Sequence, residues 1–439
     1  MGLFAGLIEL PLIGLSDVAE RLMERENHGS TSPSHSHSHS QFASLAKLGL
    51  ARSLTLKCMV AALVSAGALT VFGLIALWPS QERPNEVRTN AQEIGLTFEL
   101  LEATVYQSSE ADCGYSLSGE LELCRNVTVV LDEGTESGSL VALPEANIAF
   151  DPSFPKLSVG ESIIVALDPL TGSYHYEDRE RLNSLWWLLA LFVVIVVAFA
   201  RFRGALALVA MAGTVLILIK FVAPSVLDGN DPVLVCVVAA SAIAFFSLYL
   251  THGANIMTTV ALTGTLIALA LTLAISSVFF ELAKFSGFAS EEAFILPYLA
   301  EGLDVRGLLL GGTIIAALGA LDDVTITQAA TVLELKTQSG GLSTKELMAS
   351  GLRVGREHIA STVNTLLLAY VGSSIPLLLL FAVSDQTLSE VANSELIAVE
   401  IVRTLCGSIG LVAALPLTTF LAAFLVRSPK GKTHEPDVE

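Results

Sequence analysis

The sequence predicts a polytopic α-helical membrane protein: about eight transmembrane helices with a small extracytoplasmic β-rich domain, barrel- or sandwich-like. Three observations predict it. Hydrophobic residues make up 52% of the 439 and charged residues only 15%, against about 25% charged in soluble proteins, and the mean hydropathy is +0.65. Eight apolar stretches are long enough to cross a bilayer: 58–78, 184–200, 204–223, 232–250, 254–280, 305–328, 358–383 and 396–426. Between the first two lies a polar, acidic segment with period-2 alternation.

Residues 1–57 read as a cytoplasmic leader. The opening MGLFAGLIELPLIGL is apolar but has no basic n-region and no small-residue cleavage site, so it is not read as a cleaved signal. Gly6 stands where a myristoylation signal wants Ser or Thr. The tract from Ser30 to Ser40 alternates Ser with His35, His37 and His39. It reads as a low-complexity, disordered linker, and its composition leaves metal binding open.

The first transmembrane helix, 58–78, is followed by the extracytoplasmic segment 79–183. From 79 to 184 there are 19 acids and 6 bases, a net −13 of the chain's −19. Apolar residues alternate over Ile94–Val105, Leu117–Leu131 and Ser162–Leu167, with turn signals at Asp132-Glu133-Gly134 and Asp168-Pro169-Leu170-Thr171-Gly172. Five or so short strands in this length fit a small barrel or sandwich. Cys113 and Cys124 flank one predicted hairpin and are a possible disulfide if the segment faces an oxidising space. The remaining cysteines, Cys58, Cys236 and Cys406, lie in apolar spans and read as packing residues.

The core, 184–426, holds seven helices, and 427–439 forms a cytoplasmic tail. The positive-inside rule supports this count. With the N-terminus inside, Lys47, Arg52 and Lys57 flank the first span. The inner loops then carry Arg201 and Arg203, next Lys336, Lys345, Arg353 and Arg356, and last Arg427, Lys430 and Lys432. The outer loops of the core hold only Lys284 and Arg306, among acids such as Asp228, Asp231, Glu291, Glu301 and Asp385. Both termini are therefore expected in the cytoplasm.

Asp322 and Asp323 close the apolar stretch GLLLGGTIIAALGALDDVTITQ. A carboxylate at a membrane-helix centre costs roughly 2.5–3.5 kcal/mol, so two in succession imply partners or a function. Gly312, Ala316, Gly319, Asp323 and Thr327 fall on one helical stripe, which predicts that another helix approaches closely and meets the carboxylate. Repulsion between the neighbours is relieved by a shared proton or a bound cation. Toward the same membrane face lie His252 and Asn255, Gln328, and Arg356, His358 and Asn364; toward the other lie Lys220, Glu400 and Arg403. His252 and His358 titrate near neutrality when unperturbed. Asn255 and Asn364 suit broken helix ends or an ion, and Arg356 suits an anion. Glu400 and Arg403, spaced i, i+3, suit a charge pair or gate; Lys220 suits snorkelling.

Several function classes are excluded. An acidic chain of pI about 4.8 lacks the Lys and Arg clusters that phosphate contacts need, so no nucleic-acid partner is expected. No Walker A, G-x-S-x-G or H-E-x-x-H sequence occurs. The aspartates of an intramembrane aspartyl protease face each other across a gap, whereas Asp322 and Asp323 are neighbours that diverge. The chain is expected to be no enzyme and to use no cofactor, with the lipid bilayer and an unidentified small solute or cation as its partners.

Four ordered motifs resemble the YibE/F family of bacterial membrane proteins. They are Thr251-His252-Gly253-Ala254-Asn255; Gly319-Ala320-Leu321-Asp322-Asp323-Val324 with Gln328; the run from Gly355-Arg356-Glu357-His358 to Asn364-Thr365-Leu366; and Arg403-Thr404-Leu405-Cys406-Gly407-Ser408-Ile409-Gly410-Leu411. The resemblance covers about 185–426, and the layout of an N-terminal span, an external domain and a multi-span core is similar too; the Ser/His leader is not part of that pattern. It implies a bacterial plasma-membrane protein. The functional expectation is an ion- or proton-coupled transporter or permease using the buried carboxylates. The alternative is an accessory or sensor protein whose external domain binds an envelope partner.

Overall fold

A computed structural model describes residues 54–425 apart from 81, 94–97, 114–121, 149–153, 170, 340–341 and 384–385. The Ser/His tract with His35, His37 and His39 lies outside the described residues, as does the tail. Among the described residues six helices are long and apolar enough to cross a membrane. They accompany one small antiparallel sheet.

The helices in chain order are α1 (Leu54–Ala76), α2 (Glu82–Glu93), α3 (Leu182–Ile217), α4 (Ala223–Leu227), α5 (Pro232–His252), α6 (Ile256–Leu282), α7 (Glu291–Leu299), α8 (Val305–Gln338), α9 (Thr344–Ser373), α10 (Ile375–Val383), α11 (Leu388–Asn393) and α12 (Glu395–Leu425). Caps set several of their starts. Asp231 accepts from the Leu234 N–H, with Pro232 at the first helical position of α5; Asn255 caps α6; Asp304 caps α8. Each satisfies an N–H that the helix itself leaves unpaired.

The run Leu182–Leu227 joins α3, a π-helical stretch at Leu218–Val222 and α4, and spans 46 residues. At 1.5 Å per residue that is about 70 Å, more than twice a ~30 Å hydrocarbon core. It is not straight. Arg201 breaks the helix with φ 53° and ψ −134°, and a Cβ on Gly204 would stand 2.6 Å from the Val196 carbonyl oxygen. Residues eight apart meet only where the chain doubles back, so the two arms meet at the basic turn Arg201–Arg203. None of this run's apolar window is buried.

The opposite holds for α8, which packs against α5, α6, α9 and α12. Its partners reach it through small and hydroxyl side chains. On α6, Thr258, Thr265 and Thr272 recur every seventh residue, and with Ser276 they are fully buried. Thr265 Oγ1 lies 2.6 Å from Thr325 Oγ1 of α8. Gly264 leaves room for Thr418 of α12 and Gly410 of α12 leaves room for Thr272. Without a hydrophobic driving force between helices in lipid, such close backbone approach and interhelical hydrogen bonds hold the bundle together.

Segment 79–183 differs from expectation in two ways. A polar helix, α2, precedes the strands. The strands are β1 (Glu99–Asp112), β2 (Leu123–Leu131), β3 (Leu140–Ala142), β4 (Ala146–Asn147), β5 (Ser162–Leu167) and β6 (Tyr174–Arg179). They form one sheet in the order β3-β2-β1-β5-β6, with β4 on β2, and not a closed barrel or a two-sheet sandwich. The physical reason is β1. Its 14 residues take β5 along one half and β2 along the other, with a bulge between Val105 and Gln107. Leu143, Phe154 and Leu157 from the connections then cover the apolar face of Leu101, Ala103 and Val105 in place of a second sheet. Cys113 and Cys124 are joined by a disulfide at the end of the β1–β2 hairpin where the chain passes from one strand to the other.

Candidate functional site

Asp322 and Asp323 sit in mid-helix on α8, roughly 25 Å along the axis from Val305. Their side chains part by roughly 100°, and the two meet different neighbours. Asp322 turns toward Ser247 of α5, and its Oδ1 is buried with no hydrogen-bond partner among the described residues. Asp323 is exposed, with Oδ2 4.0 Å from His358 Nε2 on α9.

Both carboxylates open into a chamber of 310 Å³ between α3, α5 and α8. Thr214 and Met211 line it from α3, Ser247, Thr251 and His252 from α5, and Gly319 from α8. Arg203 lies near enough to His252 for their charges to interact. A larger groove of 500 Å³ runs between α1, α5 and α6, but no ionisable side chain lines it. Chemistry, not size, selects the smaller chamber.

The small-residue stripe on α8 behaves differently from its expectation. Gly312 and Gly319 have no atom within 4 Å of an added Cβ, so among the described residues no helix seats on them. The close approaches occur elsewhere on α8, at Gly311, where a Cβ would meet Cys236 at 2.6 Å.

Other sequence-derived candidates separate by role. His252 joins the aspartates in the chamber. Asn255 does not: its Oδ1 accepts from Thr258 N–H at 3.0 Å and its Nδ2 donates to the His252 carbonyl at 2.7 Å, closing the turn between α5 and α6. Gln328 is a buried clamp whose Nε2 donates to the Gly351 carbonyl (3.0 Å) and to Thr419 Oγ1 (2.7 Å), tying α8, α9 and α12 together. Gly351 and Gly355 make room for it. Arg356 and Asn364 are exposed on α9, and Lys220 is exposed in the π-helical stretch.

A second polar cluster lies where α12 crosses α8. Arg403 Nη1 donates to Glu400 Oε1 at 2.6 Å, and its Nε reaches Thr313 Oγ1 at 3.4 Å. Both charged side chains are largely buried, at 18% and 29% exposure. Glu400 lines a 170 Å³ cavity between α9, α10 and α12.

A family model described as YibE/F-like protein matches residues 188–428. The chain belongs to the YibE/F-like family. The matched YibE/F-like stretch contains the chamber, both aspartates and the Glu400–Arg403 pair, while the sheet lies before it. No curated protein and no solved structure matches the chain.

Sequence reasoning missed Ser247, Thr251 and Thr214 in the chamber wall, because hydroxyls are common in membrane helices and carry no spacing signal. It also missed the Thr265–Thr325 contact, although the seven-residue recurrence of Thr258, Thr265 and Thr272 on α6 was there to be read.

Proposed function

We propose that this protein is an integral membrane transporter or permease, coupled to a proton or another small cation, with Asp322 and Asp323 as its working carboxylates. The observation that carries the reading is the chamber: two carboxylates and His252 line a 310 Å³ space walled by membrane-spanning helices. Ionisable groups at membrane depth mark ion or proton paths, and a structural carboxylate would be expected to sit against a fixed cation. Glu400 and Arg403 serve as a brace or gate on the other side of the membrane.

The topology proposed with it has eight crossings of a bacterial plasma membrane and both termini cytoplasmic. The reversal at Arg201 divides the run 182–227 into two crossings, and α9 with α10 supplies another. The sheet then faces outward, in keeping with its disulfide.

One observation favours a second role for the outer domain. Ser80 donates to Asp228 through its backbone N–H (2.9 Å) and its hydroxyl (2.7 Å), and Arg83 donates to the carbonyls of Asp228 and Glu301. These bonds tie α2, on which the sheet follows, to loops of the core, as a sensor or accessory domain bound to an envelope partner would require. The two roles part on one variant. Asp323→Asn should keep the folded protein and lose flux; flux at the wild-type level in that variant rejects the carrier assignment.

A further inference from the structure

Two cavities lie along α8 and a third, between α9, α10 and α12, adjoins one of them through Thr404; this inference rests on the carrier reading above. Toward the outside is the 170 Å³ cavity lined by Glu400 and Thr404. Thr404 also lines the next one, which is only 10 Å³ and is bounded by Thr313, Ala317, Ala320, Leu366, Arg403 and Gly407. One turn further along α8 from Ala320 comes Asp323, on the helix face between this small cavity and the 310 Å³ chamber.

We propose that these cavities form one passage, that its constriction is the Leu366–Ala320–Gly407 ring, and that the species crossing it is the proton. A cavity needs about 10–15 Å³ to hold one water, and that water needs two or more polar partners. The constriction has the first at its lower limit, and Thr313, Thr404 and Arg403 supply the second. A single water accepts a proton on one side and releases one on the other, leaving the water unchanged. A sodium ion with even part of its hydration shell does not fit, and the Arg403 charge, which would repel a hydronium as well as sodium, is offset by Glu400 at 2.6 Å. Apolar rings that gate by excluding water are an established way to close such a path, and Leu366 is the bulky apolar side chain here. Toward the inside, the groups facing Asp323 are Asp322 on its own helix, His358 from α9 and His252 from α5. His358 Nε2 is buried, has no hydrogen-bond partner among the described residues and stands 4.0 Å from Asp323 Oδ2. That gap is too long for a direct hydrogen bond and is closed by a small side-chain shift. A proton then passes from the Asp323 carboxyl to the His358 nitrogen, leaving carboxylate and imidazolium.

The test uses the full chain in proteoliposomes with a pH dye inside and a potassium diffusion potential as the driving force. Proton entry is read for wild type, Leu366→Ala and Leu366→Ala/Asp323→Asn, and a sodium dye replaces the pH dye in parallel. Leu366→Ala is expected to leak protons several-fold faster than wild type and to admit no sodium, and Asp323→Asn to abolish that leak. A Leu366→Ala protein as proton-tight as wild type, a leak indifferent to Asp323, or sodium entry overturns the proposal. The leak needs no transported solute. A leaking Leu366→Ala beside a wild type that carries none of the solutes offered would keep the passage and reject the carrier.

Discussion

Asp323 and His358 face each other across the α8–α9 seam, Oδ2 to Nε2 at 4.0 Å, the one ion pair between these two helices among the described residues. Asp323 is exposed and His358 partly so, so the pair contributes at most about 1 kcal/mol to stability. Its geometry serves movement of charge better than it serves holding helices together. His358→Gln should therefore leave the thermal midpoint in detergent nearly unchanged and lower coupled flux. A large loss of stability with normal flux would make the pair a brace.

The glycines of the core divide into two kinds, and substitution should reveal it. A Cβ at Gly410 would overlap Thr272, whereas one at Gly319 meets nothing. Gly410→Val should yield little folded protein, because overpacking a close helix crossing costs about 1–3 kcal/mol or more. Gly319→Ala should fold as wild type. Size-exclusion profiles of the two variants decide it, and equal behaviour would contradict the crossing geometry.

The hold of α2 on the core should fail in acid. The N–H and hydroxyl of Ser80 hold the Asp228 carboxyl below its usual range, with Arg83 adding to the effect. A group whose folded value is depressed contributes stability above its unfolded value, about 3.9 for Asp, and loses it as pH falls through the folded value. Ser80→Ala moves the folded value back up, so release should occur at higher pH than in wild type. Limited proteolysis of the stretch between α1 and the sheet, run across pH 2–6, measures the shift; identical profiles would show that Ser80 does not hold Asp228.

Much of the fold was legible because lipid imposes simple rules. Apolar length located the six helices that are long and apolar enough to cross a membrane, and the charged break Arg201-Phe202-Arg203 in the apolar pattern marks where the two arms of α3 meet. The cost of carboxylates in lipid marks Asp322 and Asp323 in the sequence alone. What was illegible follows from chemistry shared between roles. An asparagine that caps a helix and one that binds an ion look alike in sequence, so both roles are open for Asn255 there; its hydrogen bonds cap α6 and close the turn. Gln328 reads as an ion-binding candidate on the same ground, and it is held buried by bonds to Gly351 and Thr419. The stripe Gly312–Ala316–Gly319 predicted a helix contact from composition alone, but the contact face of α8 is set by α5, α6 and α12. The sheet went wrong because alternation counts strands without saying which pair: β1 accepts two partners, and a sandwich is then unnecessary.

Topology is open to direct labelling. In intact cells, a membrane-impermeant thiol reagent should modify a cysteine placed at Ser158, between β4 and β5, and should miss one placed at Ser343, between α8 and α9, until the membrane is permeabilised. Labelling of Ser343→Cys in intact cells would invert the proposed orientation.

The central claim is that Asp322 and Asp323 couple a cation to transport. Purified wild type and Asp322→Asn/Asp323→Asn, reconstituted in parallel with a pH-sensitive dye inside, should be challenged with a panel of cations and small metabolites. The account predicts a solute-dependent flux or pH signal in wild type that the double variant lacks although it is folded and inserted equally. The same signal in both proteins would contradict it, as would silence from folded, correctly oriented wild type.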